Sequence, residues 1–586
     1  MPLATLDWIL IGSFFAIFLL IGILVAKRSG KNTKEFFLSG RNMPWWLLGI
    51  SMVATTFSAD TPNLVTDIVR QNGVSGNWVW WTFLLTGMLT VFVYAKLWRR
   101  SKVLTDLEFY EMRYSGKEAA FLRGFRALYL GVFFNVMIMA SVCLAAIKIG
   151  GILFNLQPWE CVLYASIITV VYSSFGGLRG VIFTDFLQFI VAMIGSVWAA
   201  YHIVNMKEIG GLDKLLAHEN VADKLNFLPD FSDTSSLLVL LIIPIAVQWW
   251  SVWYPGAEPG GGGYIAQRML SAKDEKNAIG ATLLFNVAHY ALRPWPWILI
   301  ALASLVMYPE LTDIGDKFPN AVMGHDLGYP AMLAELPPGL LGIVVASLIA
   351  AFMSTISTHL NWGSSYISLD FYKRFIKPTA SEKELVGIGR LSTVVLMFLS
   401  ALLALALSSA LSTFAILLQI GAGTGLIFIL RWFWWRVNAY SEITGMIVSF
   451  VMALFFEFTN FGLEDYEKLV IGVAITTVSW IVVTLLTRPT DTKTLAQFYN
   501  TVTPYGNGWK PFKKVAANAS LPLKKTNDVF TIDLASMLLG IVFVYTSLFA
   551  TGYVIYGNIT GAAILIGIAI ISGVTIFSLW KKRKRT

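Results

Sequence analysis

Cysteine is almost missing from this chain. Its 586 residues hold two, Cys143 and Cys161, each inside an apolar run, which excludes a disulfide framework and a cysteine metal cluster. Histidine is nearly as scarce, at five, with no pair at metal-ligand spacing. Charge is the third shortage: 13% of the residues are Asp, Glu, Lys or Arg, against about 25% in an ordinary soluble domain. Length alone would divide the chain into about four soluble domains, and the missing charge rules that division out. In its place 56% of the residues are hydrophobic and 14% aromatic. That is enough apolar material for about fifteen helical spans of ~20 residues, and it defines an all-α polytopic membrane protein.

Apolar stretches fall at about 7–26, 45–71, 78–98, 122–153, 158–175, 180–205, 236–256, 278–307, 337–368, 385–408, 412–430, 441–460, 469–487, 534–556 and 559–580. The formal surplus of nine positive charges would also fit a nucleic-acid partner. Assigning the loops alternately to two sides, however, gathers 36 of the 44 Lys and Arg on one of them, as cytoplasmic loops require. The other side receives acidic loops, 206–235 with Glu208, Asp213 and Asp223 among its carboxylates and 308–336 with Glu310, Asp313 and Asp316 among its own. The expectation is a multi-pass protein of the plasma (inner) membrane, N-terminus outside and C-terminus cytoplasmic, with no nucleic-acid partner. Asp7 stands before the first span and Lys27 and Arg28 after it, the reverse of a cleaved signal peptide. The closing Lys581 to Arg585 reads as a cytoplasmic stop signal that touches anionic lipid.

Two spans carry residues that break helices. One contains Ala54 to Asn63 (ATTFSADTPN), and the other runs into Trp253 to Tyr264 (WYPGAEPGGGGY), with two prolines and five glycines. Proline removes an amide donor and glycine exposes backbone, so both helices should unwind there. Unwound backbone inside a membrane survives where it lines a cavity. Each broken span opens a set of five, and five is odd, so the second set starts from the opposite side. That is the inverted-repeat pattern that frames a midplane site. The divisions expected are 1–44 (N-terminal extra helix and cytoplasmic loop), 45–205 (first repeat), 206–235 (extracellular loop), 236–431 (second repeat) and 432–586 (C-terminal extra helices with cytoplasmic loop 488–533).

The span 337–368 contains AAFMSTISTHL. Positions 351, 354, 355 and 358 share a helical face, while Ser354, Ser357 and Thr358 form an overlapping second cluster. Hard cations want oxygen ligands, and hydroxyls with freed carbonyls hold a monovalent ion without trapping it. The competing use of such hydroxyls is to bond back to their own helix. Asp185 lies inside an apolar span, where a carboxylate is costly and must face a cavity or a partner. The cluster at 354–358 through a cation, a salt bridge and a helix cap all remain open to it.

The chain resembles the sodium:solute symporter family. The resemblance rests on KEFFLSGRNMPWWLLGISMVAT, TDLEFYEMRY, YSSFGGLRGVIFTDFLQF, YIAQRMLSAK, MSTISTHLNWGSSYISLDFYKR and FWWRVNA, in that order between residues 33 and 440. It implies a leucine-transporter (LeuT) type fold, a 5+5 inverted repeat with one extra N-terminal and about four extra C-terminal helices. It also implies a sodium site of Ala54, Phe57 and Ala351 carbonyls with Ser354 and Thr355 hydroxyls, and in some members a second sodium site, here Asp185, Ser354, Ser357 and Thr358. One or two Na+ ions are then the coupling ligands.

For the solute the match is weaker. Thr61, Trp80 and His289 stand where sugar-carrying relatives have glutamine, glutamate and lysine. The aromatic gate falls to Tyr254 or Tyr264, and Gln248, Trp253 and Glu258 complete the expected cavity with Arg293. His289 and Arg293 share a face, and Arg293 needs either a carboxylate partner, with Glu258, Asp60 and Asp67 nearby, or an anionic ligand. The expected function is sodium-coupled import of a small organic solute, a sugar or a carboxylate-bearing one. A transporter-like sensor acting through a partner protein is the alternative. An enzyme is not expected, because no paired carboxylates or nucleophile motif accompany these residues.

Overall fold

The computed structural model of the chain describes residues 3–29, 38–173, 178–251, 258–319, 321–459, 462–525 and 529–583. Within them each apolar stretch is helical, and ten helices are long and apolar enough to cross a membrane by length and composition. The helices used below are α1 (Thr5–Ser29), α2 (Trp45–Thr56), α3 (Asp60–Asn72), α4 (Val74–Ser101) and α5 (Gly116–Leu153). Next come α6 (Leu178–Val204), α7 (Thr234–Trp250), α8 (Gly263–Ser271), and α9 (Glu275–Met307) and α10 (Leu340–Ile376). The last are α11 (Ala410–Gly421), α12 (Gly425–Phe433), α13 (Ala439–Phe458), α14 (Phe530–Ile555) and α15 (Ile559–Arg583).

The first expected break lies between α2 and α3. Phe57 leaves helical geometry at φ −85°, ψ 78°, and α3 restarts at Asp60 with Pro62 in its first turn, where a missing amide costs nothing. The second break is met from both sides. α7 ends in a tight turn at Trp250, Ser251 is extended, and helix resumes at α8. Residues 252–257 lie outside the described part, Trp253 and Tyr254 among them.

A third break was not expected, since 412–430 reads as one apolar span. The run GAGTG interrupts it: α11 ends at Gly421, Gly423 adopts φ 80°, and α12 begins at Gly425. A Cβ on Gly425 would sit 1.4 Å from the Trp250 carbonyl oxygen, so glycine there lets the second broken helix lie directly against α12.

α9 also departs from a regular helix. Ala288–Leu292 forms a π turn in which the Arg293 amide reaches the Ala288 carbonyl at 3.2 Å. Pro294 and Pro296 follow and lack the donors a regular turn would use.

α1 packs on α6 and α10, and its Asp7 does more than mark topology. The Asp7 carboxylate is 1% exposed and accepts the amides of Gly339 and Gly342 at 2.7 and 2.8 Å, capping the N-terminus of α10 from another helix. At the other end of the chain α14 and α15 form an antiparallel pair. A buried Lys96–Asp533 ion pair ties α14 to α4.

Candidate ion and solute site

The break between α2 and α3 faces a cavity of about 150 Å³. Its walls come from the break itself (Thr55, Thr56, Asp60 and Thr61), from α4 (Trp80 and Thr86), from α9 (Asn286, His289 and Arg293), and from Glu258, Tyr264, Thr355 and His359. Most of the lining is apolar or hydroxylic. The Trp80 ring stacks on Tyr290 at 5.7 Å between centroids, and the Asn286 side-chain carbonyl is buried without a hydrogen-bond partner. Such an orphaned acceptor is costly, and this one packs against Gly87 of α4.

Unwinding frees the carbonyls at the end of α2, and side chains take them up. Thr355 Oγ1 donates to the Thr55 carbonyl across the α2–α10 interface at 3.1 Å, and Thr61 Oγ1 donates to the Thr56 carbonyl at 3.3 Å. The Ala54 carbonyl accepts the Phe57 amide at 3.1 Å, in the tight turn that closes α2. Ala351, Ser354 and Thr355 are all at most 3% exposed on the facing surface of α10. Of the expected sodium set, Ala54 and Phe57 thus lie at the break and Thr355 bonds to it across the α2–α10 interface.

The second set divides. Ser354 Oγ donates to Asp185 Oδ1, so α10 shows one hydroxyl to α2 and its neighbour to α6. Ser357 bonds back to the Ser354 carbonyl at 3.0 Å, while Thr358 Oγ1 is buried without a partner. Asp185 Oδ2 accepts Ser51 Oγ at 2.6 Å and lies 3.7 Å from Arg268 Nη2. Arg268, fully buried on α8, also donates to Thr55 Oγ1 at 3.0 Å. Arg268 is the functional candidate missing from the sequence reading, where its position beside Lys273 and Lys276 counted it with a loop.

Among the expected solute residues, Thr61, Trp80, Glu258, Tyr264, His289 and Arg293 line the cavity and Gln248 does not. Glu258 lines the cavity, but its carboxylate is bonded to Arg126 and lies 3.8 Å from Arg431. It is therefore held by two arginines other than Arg293. Gln248 is absent from the cavity wall: its amide turns to the Val79 carbonyl, because α7 tightens at 248–250. Arg293 donates to the Val53 carbonyl and Thr56 Oγ1, each at 3.4 Å, and lies over the Trp297 ring at 5.3 Å. The guanidinium is thus stapled to the broken helix while reaching the cavity. His289 stays beside it, Nε2 at 3.4 Å from Nη2, because the π turn keeps both on the cavity side.

A polytopic helical protein with a broken helix facing a hydroxyl-bearing partner beside a buried cavity has the design of a secondary transporter. A model of the sodium:solute symporter family matches residues 36–449, and the chain belongs to that family. It is 25% identical over 486 residues to the sodium/glucose cotransporter of Vibrio parahaemolyticus, across 80% of this chain and 88% of that one. To the sodium/sialic acid symporter SiaT of Proteus mirabilis (strain HI4320) it is 26% identical over 471 residues, across 77% and 89%. Among solved structures, the substrate-bound outward-open state of a Na+-coupled sialic acid symporter matches with a TM-score of 0.67 at 23% identity, over 83% of this chain and 99% of that chain. The fold is of the leucine-transporter type, and the protein is a membrane transporter, not an enzyme.

Proposed function

We propose that this chain imports a small organic solute, a sugar or a carboxylate-bearing one, together with sodium, by alternating access. The units 45–205 and 236–431 move against each other around the cavity, and the C-terminus lies on the cytoplasmic side. The observation that carries the reading is the α2–α10 junction, where Thr355 at the cavity's edge donates to a carbonyl of the broken helix and its neighbour Ser354 donates to Asp185. Sodium held there by the Ala54, Phe57 and Ala351 carbonyls and the two hydroxyls ties α2 to α10 and prepares the cavity for solute. A membrane potential of 100 mV adds about 2.3 kcal/mol per charge carried in, roughly a fiftyfold concentration.

In this arrangement coupling uses one sodium ion. The place beside Asp185 already faces a tethered cation, the Arg268 guanidinium, and Ser357 bonds back to its helix. A second ion would have to displace these contacts and pay their desolvation. Uptake by proteoliposomes, screened over sugars, sialic acids, amino acids and carboxylates with and without an imposed sodium gradient, tests the reading. Accumulation of at least one solute that requires the gradient is expected. Solute binding with no accumulation under any gradient would instead mark a sensor.

A further inference from the structure

A second crevice, of about 570 Å³, opens between α9 and α15 on the outer face of the helical bundle. Its wall is apolar. Leu283, Leu284 and Val287 line it from α9, Phe543 faces it from α14 and Phe577 from α15. Its charge is confined to Lys276 and Lys581, which stand with Trp45 and Trp580. Lys276 opens α9 and Lys581 closes α15, so the two lysines come from the same end of the crevice.

From Lys276 to Val287 the helix rises about 16 Å at 1.5 Å per residue. That is the depth of one leaflet of a ~30 Å hydrocarbon core. Tryptophan and lysine at one end of an apolar groove are the residues that sit at headgroup level. The face of α15 beside the crevice exposes Ile570, Ile571, Val574 and Phe577, as a helix in contact with lipid does.

Asp274 accepts the Lys276 amide and lies within coulombic reach of its ammonium. Neither lysine makes an ion pair among the described residues, and Lys581 Nζ lies 4.6 Å over the Phe577 ring. Of the acids near Lys276, Glu275 is engaged by Arg100 at 2.9 Å, and Asp274 caps α9 by accepting the Asn277 amide at 2.8 Å. Both lysines are exposed and available to an anion.

We propose that this crevice binds one anionic glycerophospholipid, with an acyl chain along Leu283, Leu284 and Val287 and the phosphate at Lys276 and Lys581. The bound lipid bridges the start of the core helix α9 and the last helix of the chain. Because it lies apart from the transport cavity, it stands independently of the solute and of the sodium count.

The test is native mass spectrometry of the purified full-length chain titrated with phosphatidylglycerol or phosphatidylcholine of identical acyl chains. Two juxtamembrane lysines predict a preference for phosphatidylglycerol of about tenfold or more, and Lys276→Gln with Lys581→Gln should bring the two lipids to equal binding. Both positions are exposed, so the double variant keeps the fold. Val287→Trp, which fills the groove, should weaken both lipids together. Equal binding of the two lipids by the parent, or a preference surviving the double substitution, would overturn the proposal. Undiminished binding by Val287→Trp would overturn the placement of the acyl chain.

Discussion

Arg293 and Glu258 line the same cavity as buried charges, and their neighbours give them different work. Glu258 is engaged by Arg126 and Arg431, whereas Arg293 donates to the Val53 carbonyl and Thr56 Oγ1 on the broken helix and stands beside His289. Removing one partner of a buried pair strands the other charge, at a cost of about 3–5 kcal/mol. Glu258→Gln should therefore lower the thermal unfolding midpoint sharply in detergent, and a second change, Arg126→Gln, should recover part of the loss. Arg293→Ala should instead reduce uptake of carboxylate-bearing solutes by about tenfold or more and leave neutral sugars less affected, as measured by uptake across the solute panel. Equal loss for every solute would assign Arg293 to holding α2 alone. Ser354, Thr355 and Asp185 were legible in the sequence because helical spacing and the cost of a buried carboxylate mark them. Arg268, Arg126 and Arg431 were not, because each sits near a span end, where a basic residue reads as a loop charge until its buried partner is seen.

At the scale of elements, the breaks follow from local chemistry to different degrees. Pro62 and the Ser/Thr cluster announce the α2–α3 break, and the π turn of α9 answers to Pro294 and Pro296. The break between α11 and α12 hides in an apolar run, because glycine and alanine score as hydrophobic while Gly423 takes φ 80°. Only the Trp250 carbonyl packed against Gly425 gives that break its reason. The cap that α1 supplies to α10 was likewise invisible, since Asp7 and Gly339 are far apart in the chain. It implies that α1 is bound to the core by polar contacts as well as by apolar packing. Asp7→Ala should cost about 0.5–2 kcal/mol and lower the unfolding midpoint, while Asp7→Asn should retain part of the cap. An unchanged midpoint in Asp7→Ala would show that the cap adds no net stability.

For the molecule as a whole, composition was enough for the class, because 13% charge and 56% hydrophobic residues leave a soluble core no surface to wear. The expected division into two repeats rests on matched helix-breaking segments and on sets of five spans read from the sequence. The identity of the solute was not legible, since the cavity is assembled from α2, α3, α4, α5, α8, α9, α10 and α11, and no local pattern records what eight segments enclose. The proposed ion count rests on a neighbouring ion pair. With Arg268 facing Asp185, the sodium dependence of uptake should have a Hill coefficient near one, and a value approaching two would require an ion at Asp185.

The proposed sodium junction of α2 and α10 at Ser354 and Thr355 is tested by uptake into proteoliposomes bearing Ser354→Ala with Thr355→Ala under an imposed sodium gradient. Gradient-driven accumulation should fall to the level of liposomes without a gradient. Accumulation equal to the parent's, with the same dependence on sodium, would contradict the proposal.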